Sequence, residues 1–136
     1  MILSRAQIGK VVELIGKEIP LIRGIYLFGS GTSDSFTDTS DVDLAIISDT
    51  AINNRLVWDL KYKLSEILHR EVDLIDLQPA DTVLQMQVVT NGVRLFTSDE
   101  KESDWFESKV WWNYFTLNED RAVILEEIAK TKTIYR

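Results

Sequence analysis

The sequence predicts an α/β (α+β) domain in which helices pack on one side of a small mixed sheet of about four strands. Short apolar runs alternate along the chain with stretches in which apolar residues recur at helical spacing. The chain has 136 residues, 45% of them hydrophobic and 27% charged, which is an ordinary balance for one globular domain. We therefore interpret residues 1–136 as a single domain.

The elements follow from apolar periodicity and from the residues that begin and end helices. Ser4 and Gln7 have the spacing of a capping box, and Pro20 ends the first helix. Asn91-Gly92 predicts a turn that leads into a short return strand. The predicted helices are Ser4–Glu18, Ala51–His69, Thr82–Thr90, one beginning at Ser98 and a last one at Glu119–Lys130, and the predicted strands are Leu21–Phe28, Asp41–Ser48, Arg70–Leu77 and Val93–Phe96.

The second predicted strand opens with two acidic residues, Asp41 and Asp43. Residues two apart in a strand point to the same side, so both carboxylates face one spot, while Val42 and Leu44 face a core. Two such carboxylates repel each other unless a cation lies between them. Oxygen ligands suit a hard cation, and magnesium in particular binds through carboxylates and substrate phosphates.

The first predicted strand ends in Gly29-Ser30. Glycine allows a ligand to approach the backbone closely, and serine offers a hydroxyl and an N–H to phosphate oxygens. Alone, either motif also fits a simple Gly-Ser turn or a solvated edge strand. Their joint spacing favours a site for a metal-bound nucleoside triphosphate.

Gly29-Ser30, a gap of ten residues and then Asp41-Val42-Asp43-Leu44 resemble the signature of the DNA polymerase β-like nucleotidyltransferase superfamily. A chain that adds so little to this core resembles the minimal nucleotidyltransferases. Several of those are antitoxins that are paired with a HEPN-domain ribonuclease toxin. The resemblance therefore implies the polymerase β-like core as the fold.

The resemblance also implies a third carboxylate on the strand that follows the second helix. Asp73 fits this position best, because Asp76 has the wrong parity and Glu71 lies before the apolar centre of the strand. A solvated edge carboxylate is the alternative for Asp73. Many relatives carry a basic residue in the loop before Asp41, whereas this chain has no Arg or Lys between Ser30 and Arg55, and places Asp34 and Asp38 there.

What the resemblance implies about activity is a magnesium-dependent nucleotidyltransferase, a protein adenylyltransferase that uses ATP as donor. Asp41 and Asp43 would hold Mg²⁺, Asp73 would complete the second metal site and help to deprotonate the acceptor, and Gly29 and Ser30 would hold the β- and γ-phosphates. The acceptor implied is a tyrosine hydroxyl of the cognate HEPN toxin, which AMP transfer would silence. Two alternatives stay open: an antitoxin that neutralises its toxin by binding alone, and a small-molecule nucleotidyltransferase of the aminoglycoside type.

Composition limits the partners. A net charge of −7 and a pI near 4.7 argue against a protein that binds long nucleic acid directly. The N-terminus lacks the pattern of a signal peptide, and no apolar run approaches the roughly 20 residues that span a bilayer. With no cysteine in the chain, we expect no disulfides and a cytoplasmic location.

His69, at the end of the second helix, is interpreted as a surface or capping residue.

Aromatic residues crowd the segment after Ser98. The C-terminal helices, about residues 98–131, therefore have two interpretations. Their aromatic side chains form a surface for a protein partner, or they pack against the last helix and its apolar residues. The aromatic residues are Trp105, Phe106, Trp111, Trp112, Tyr114 and Phe115, and the apolar residues of the last helix are Val123, Ile124, Leu125 and Ile128.

Overall fold

A computed structural model describes the backbone of residues 1–33, 36–37 and 39–134, and the side chains of these residues except 118, 120–125 and 127–134. Asp34 and Asp38, and the side chains of the apolar residues predicted for a last helix (Val123, Ile124, Leu125 and Ile128), lie outside the described residues. In chain order the elements are α1 (Arg5–Glu18), β1 (Ile22–Phe28), a 3₁₀ turn (Gly29–Thr32), β2 (Val42–Ser48), α2 (Asn54–Leu68), β3 (Val72–Asp76), α3 (Thr82–Asn91), β4 (Val93–Thr97) and α4 (Glu100–Ile134).

The four strands form one mixed sheet in the order β3-β2-β1-β4. β1 is antiparallel to both β2 and β4, whereas β2 and β3 are parallel. A parallel pair needs a long crossover connection, and α2 supplies it. The prediction of a small mixed sheet is confirmed.

Helices cover both faces of this sheet, which corrects the prediction that they pack on one side. α1 and α2 bury the face that carries Leu27 and Leu44. The opposite face carries Tyr26 and Ala45, and it packs against Val88 of α3 with Phe106 of α4 at the edge of the cluster. The two central strands, β1 and β2, are apolar on both faces, so each face needs a cover.

Local capping sets the start of the first two helices. The capping box at α1 is confirmed, because Ser4 Oγ accepts from the N–H of Gln7 and Gln7 Oε1 accepts from the N–H of Ser4. α2 begins three residues later than predicted because Asn53 is its cap, with Asn53 Oδ1 accepting from the Leu56 N–H. His69 ends α2 in the left-handed conformation, so its interpretation as a capping residue is confirmed.

The C-terminal segment is one helix of 35 residues, α4, rather than the two helices that the sequence predicted. No glycine or proline follows Gly92, so nothing in the chain breaks the helix. A single helix cannot fold back on itself, and its aromatic side chains at Trp105, Trp112 and Phe115 are exposed. No helix of the described residues combines the length and the apolar character that a membrane span requires.

Polar contacts join the start of α4 to the sheet. Glu107 accepts a hydrogen bond from the Tyr26 hydroxyl (3.1 Å) and forms an ion pair with Arg94 (2.6 Å). One turn earlier, Glu102 pairs with Arg23 of β1. Because Tyr26 is buried, these contacts satisfy polar groups that would otherwise be isolated in the core. They hold the first two turns of α4 on the sheet.

Candidate active site

The three predicted acids meet at one edge of the sheet. Asp43 of β2 and Asp73 of β3 are register partners on adjacent parallel strands, so their side chains lie on the same face. Asp41 directly precedes β2, two residues before Asp43. Burial raises the pKa of the Asp43 carboxyl, and the negative charges of Asp73 and then Asp41 raise it further. The structure therefore places the three carboxylates within electrostatic reach of one another.

Gly29 lies against this acidic cluster. Its backbone has a φ of +74°, and a β-carbon at this position would overlap Oδ2 of Asp43. Phe28, the residue before it, is the cross-strand partner of Asp43. Glycine is thus required both by the backbone conformation and by the close approach of the carboxylate.

The 3₁₀ turn that begins at Gly29 is held together from within and from the N-terminus. The Thr32 hydroxyl donates to the carbonyl of Gly29 (2.9 Å). The N–H of Ile2 donates to the carbonyl of Gly31 (2.9 Å), and a β-carbon on Gly31 would come within 2.7 Å of the Ile2 side chain. Ser30 is exposed in this turn. The turn therefore presents Ser30 to solvent beside the acids.

Arg70 holds the loop before Asp41, a role that the sequence analysis did not identify. Its Nη1 donates to the carbonyls of Thr37 (2.9 Å) and Ser40 (3.1 Å), and its guanidinium lies 5.9 Å from the centre of the Phe36 ring. The loop itself contains no basic residue, and this cation reaches it from the start of the neighbouring strand. Only the parallel pairing of β2 and β3 brings the two together, so no local signal could reveal the contact.

Lys61 of α2 is a second residue that the sequence analysis missed. Its Nζ lies 3.5 Å from Oδ1 of Asp73 and 5.1 Å from the centre of the Trp58 ring. The Asp73 side chain is 56% exposed, so the pair contributes little to stability. It does place one positive charge beside the third acid.

Asp76 lies outside the cluster. It pairs in register with Ile46, on the opposite face of β3 from Asp73. Burial raises the pKa of the Asp76 carboxyl, and its Oδ1 is buried without a hydrogen-bond partner among the described residues. The choice of Asp73 over Asp76 by parity therefore agrees with the faces that the structure gives them.

The donor set suits a hard cation. Its members are three aspartates. Burial raises the Asp43 pKa most, the charges of Asp73 and Asp41 raise it further, and a bound cation relieves that repulsion. In residues 1–33, 36–37 and 39–134, no three acidic, histidine or cysteine side chains are close enough together to enclose a metal ion as they stand. Side-chain rotation would have to accompany metal binding at this edge.

Carboxylates beside a glycine-containing turn can carry out group transfer from a nucleotide. The acids can orient a cation and accept a proton, while the backbone N–H groups of the turn can bind phosphate oxygens. Two acids of the cluster lie in strands, Asp43 and Asp73, and Asp73 is the more exposed of the two. The acceptor can therefore approach from the side of β3.

Comparisons with known proteins agree with this chemistry. A family model described as polymerase beta, nucleotidyltransferase matches residues 10–101, which include all five candidate site residues. The chain is 34% identical over 119 residues to the protein adenylyltransferase MntA of Shewanella oneidensis, covering 88% of this chain and 85% of that protein.

Two solved structures resemble the fold closely. One is the tri-AMPylated Shewanella oneidensis HEPN toxin in complex with MNT antitoxin, with a TM-score of 0.77, 32% identity, and coverage of 93% of this chain and 98% of the matched chain. The other is a toxin–antitoxin structure with AMP-PNP, with a TM-score of 0.79, 33% identity and the same two coverages, 93% and 98%.

Proposed function

The chain belongs to the polymerase β-like nucleotidyltransferase family, and we propose that it is an antitoxin that transfers AMP from ATP to a tyrosine hydroxyl of a cognate HEPN toxin. The observation that carries this proposal is the convergence of Asp41, Asp43 and Asp73 beside the Gly29 turn, within the segment that matches the family. The similar proteins support the donor and the acceptor. One is a protein adenylyltransferase, one structure contains an AMPylated HEPN toxin, and another contains an ATP analogue.

In this proposal the turn binds the phosphates of ATP, and the acids bind the metal. The N–H groups of Gly29 and Ser30, with the Ser30 hydroxyl, bind the β- and γ-phosphates of ATP. Asp41 and Asp43 would hold Mg²⁺, and Asp73 would complete a second metal site. Magnesium, when bound, supplies positive charge that neutralises the phosphates and favours the ionised acceptor.

The transfer is a single displacement at the α-phosphorus of ATP. A bond forms between the tyrosine oxygen and that phosphorus, and the bond to the bridging oxygen breaks, which releases pyrophosphate. The hydroxyl proton passes to Asp73. A tyrosine hydroxyl titrates near pH 10 and is protonated at neutral pH, so it needs a general base. The hydroxyl becomes acidic as its oxygen bonds to phosphorus, and a carboxylate can then accept the proton. Because the proposed reaction uses ATP, it would take place in the cytoplasm.

The outward side of α4 serves as the partner interface in this proposal. Trp105 and Trp112, seven residues apart, lie on the same side of the helix and are 74% and 73% exposed. Val110, on the other side of the helix, is buried against the rest of the chain. Tryptophan side chains with so large an exposed fraction are typical of protein contact surfaces. This surface is also the observation that favours the second candidate function, an antitoxin that acts by binding alone.

Transfer of labelled AMP from ATP to the purified toxin, in the presence of magnesium, tests the proposal. We expect label on the toxin with the wild-type chain, and none above background with Asp41→Asn/Asp43→Asn. Asp76→Asn is the matched control, because it removes a carboxylate from the opposite face of the same sheet. If the wild-type chain transfers no label yet both it and the double variant bind and inhibit the toxin, the binding function replaces the proposed enzyme.

A further inference from the structure

β3 is an edge strand, and its outer side carries backbone groups that no other strand of the described chain pairs with. Two backbone hydrogen bonds mark the ends of its pairing with β2. The Val42 N–H donates to the Glu71 carbonyl, and the Leu77 N–H donates to the Ile46 carbonyl, both at 2.9 Å. In a parallel pair, alternate residues bond to the neighbouring strand. The backbone groups of positions 72, 74 and 76 therefore point outward.

A groove of about 570 Å³ runs beside this edge. Its wall on α2 carries Trp58 and Tyr62, which are 69% and 66% exposed. Its other wall is formed by Arg70 and Glu71, which precede β3, and by Val72, the first residue of β3. Exposed aromatic side chains next to unpaired backbone groups make this edge an unusual surface for a soluble sheet, which normally protects its edges.

The groove adjoins the acidic cluster through one side chain. Lys61 lines the groove and also lies 3.5 Å from Asp73, so one side chain joins the two sites. Arg70 also lines the groove, and Glu71 is the acidic residue of the groove lining. The groove thus has a more basic lining than the chain as a whole, whose net charge is −7.

We propose that the outer edge of β3 receives an extended segment of the protein substrate as an added strand, with the acceptor tyrosine beside Asp73. This inference rests on the proposed function and specifies how its acceptor is presented. Strands lie about 4.8 Å apart, and side chains directly opposite each other share a face of the sheet. A tyrosine opposite Asp73 therefore lies on the face of the three acids, with its hydroxyl within reach of the Asp73 carboxylate.

The same register assigns the neighbours of that tyrosine. Side chains alternate along a strand, so the residues on either side of the tyrosine point to the other face, towards α2. Trp58 and Tyr62 lie there and favour apolar neighbours. Main-chain pairing of this kind supplies affinity, while alternate side chains supply specificity. A second copy of this chain is the competing occupant of the edge, through pairing of β3 with β3.

Kinetics of AMP transfer to the toxin test the groove. We expect Trp58→Ala/Tyr62→Ala to raise the KM for the toxin about tenfold, with the KM for ATP unchanged, since exposed aromatic contacts of this kind anchor protein interfaces. Leu21→Ala/Val83→Ala is the control, because it removes two exposed apolar side chains elsewhere on the surface. Equal KM values for the toxin in wild type and the groove variant would overturn the proposal.

Hydrogen exchange provides a readout that does not depend on transfer. Adding the toxin to the full chain should slow exchange of the outward amides of Val72, Leu74 and Asp76. Their unchanged exchange in the complex would count against the proposal. Slow exchange in the chain alone, growing with concentration and with a doubled mass in sedimentation, would instead assign the edge to a second copy.

The two proposals fail in distinguishable ways. If the wild-type chain transfers no AMP at all, the proposed function fails, and the exchange of the three outward amides still decides whether the edge binds the toxin. If transfer occurs but neither the KM nor the amides respond, only the edge-strand proposal fails.

Discussion

The backbone of Gly29 lies directly against the carboxylate of Asp43, so close that a β-carbon on Gly29 would overlap Oδ2 of that aspartate. This contact joins the end of β1 to the start of β2 and brings the turn and the acids into one site. It also ties a backbone requirement to a functional one, because the glycine has a φ of +74° as well.

Replacing Gly29 by alanine should therefore damage both stability and nucleotide binding. We expect Gly29→Ala to lower the free energy of unfolding by about 1–2 kcal/mol from the left-handed backbone alone, with more from the displacement of Asp43. Chemical denaturation and ATP-binding titrations measure the two effects. Gly9→Ala is the matched control. Gly9 lies in α1 with open space around its α-carbon, so alanine there should stabilise the chain by about 0.5–1 kcal/mol.

Asp43 should reduce the stability of the chain when no ligand is bound. Its pKa is raised by burial and by Asp73 and Asp41, so ionisation of Asp43 is less favourable in the folded state than in the unfolded state. The free energy of unfolding should fall as pH rises from the ordinary aspartate pKa through the elevated one. Asp43→Asn removes this loss, so we expect a higher melting temperature at pH 7 together with at least about a 100-fold loss of AMP transfer.

Thermal melts of wild type and Asp43→Asn between pH 3 and pH 7 measure this difference. The gap between the two proteins should widen as pH rises. A variant that melts lower than wild type at pH 7 would show that the carboxylate makes a net stabilising contact in the unliganded chain.

Tyr26 should give the chain a stability loss at alkaline pH. Burial and the charge of Glu107 raise the pKa of Tyr26 to about 12, although Arg94 acts in the opposite direction. The contribution of Tyr26 is fully present below the ordinary tyrosine pKa of about 10 and is lost as pH rises towards 12. Tyr26→Phe should cost about 1 kcal/mol at pH 7, because the hydrogen bond to Glu107 is removed.

Denaturation at several values between pH 8 and pH 11 tests this prediction. The stability of Tyr26→Phe should decline less steeply than that of wild type above pH 10. Tyr62→Phe is the comparison: the hydrogen bond with Glu66 also raises the pKa of Tyr62, but water screens this 66% exposed side chain, so the slope should change in the same direction and by less. Parallel curves for wild type and Tyr26→Phe would contradict the assignment.

The exposed tryptophans of α4 should matter for toxin binding and little for folding. We expect Trp105→Ala/Trp112→Ala to weaken capture of the toxin at least about tenfold, since tryptophan often dominates interface energies. The melting temperature should stay within about 2 °C of wild type, because neither side chain is buried. Surface plasmon resonance and calorimetry make the two measurements. Val83→Ala, an exposed apolar position on α3, should change neither.

Much of the fold is predictable because the signals for it are local. Apolar runs and the Ser4 capping box predict the bounds of the strands and of the first helix to within one or two residues. The sequence predicts two helices where the structure has α4 alone, since apolar residues near the C-terminus favour a separate packed helix while the chain has no glycine or proline to divide the segment. The cover on the second face was missed because periodicity does not say which helix meets which face.

The candidate site divides in the same way. That Asp41 and Asp43 share a face follows from the two-residue period of a strand, which any reader of the sequence can apply. That Asp73 stands beside Asp43, and that Lys61 and Arg70 reach the site, depends on the parallel register of β2 and β3 and on the path of α2. The sequence alone therefore established the kind of chemistry, since side-chain type and local period are written in it. Which groups meet was decided by tertiary packing, because contacts between distant residues depend on the whole sheet.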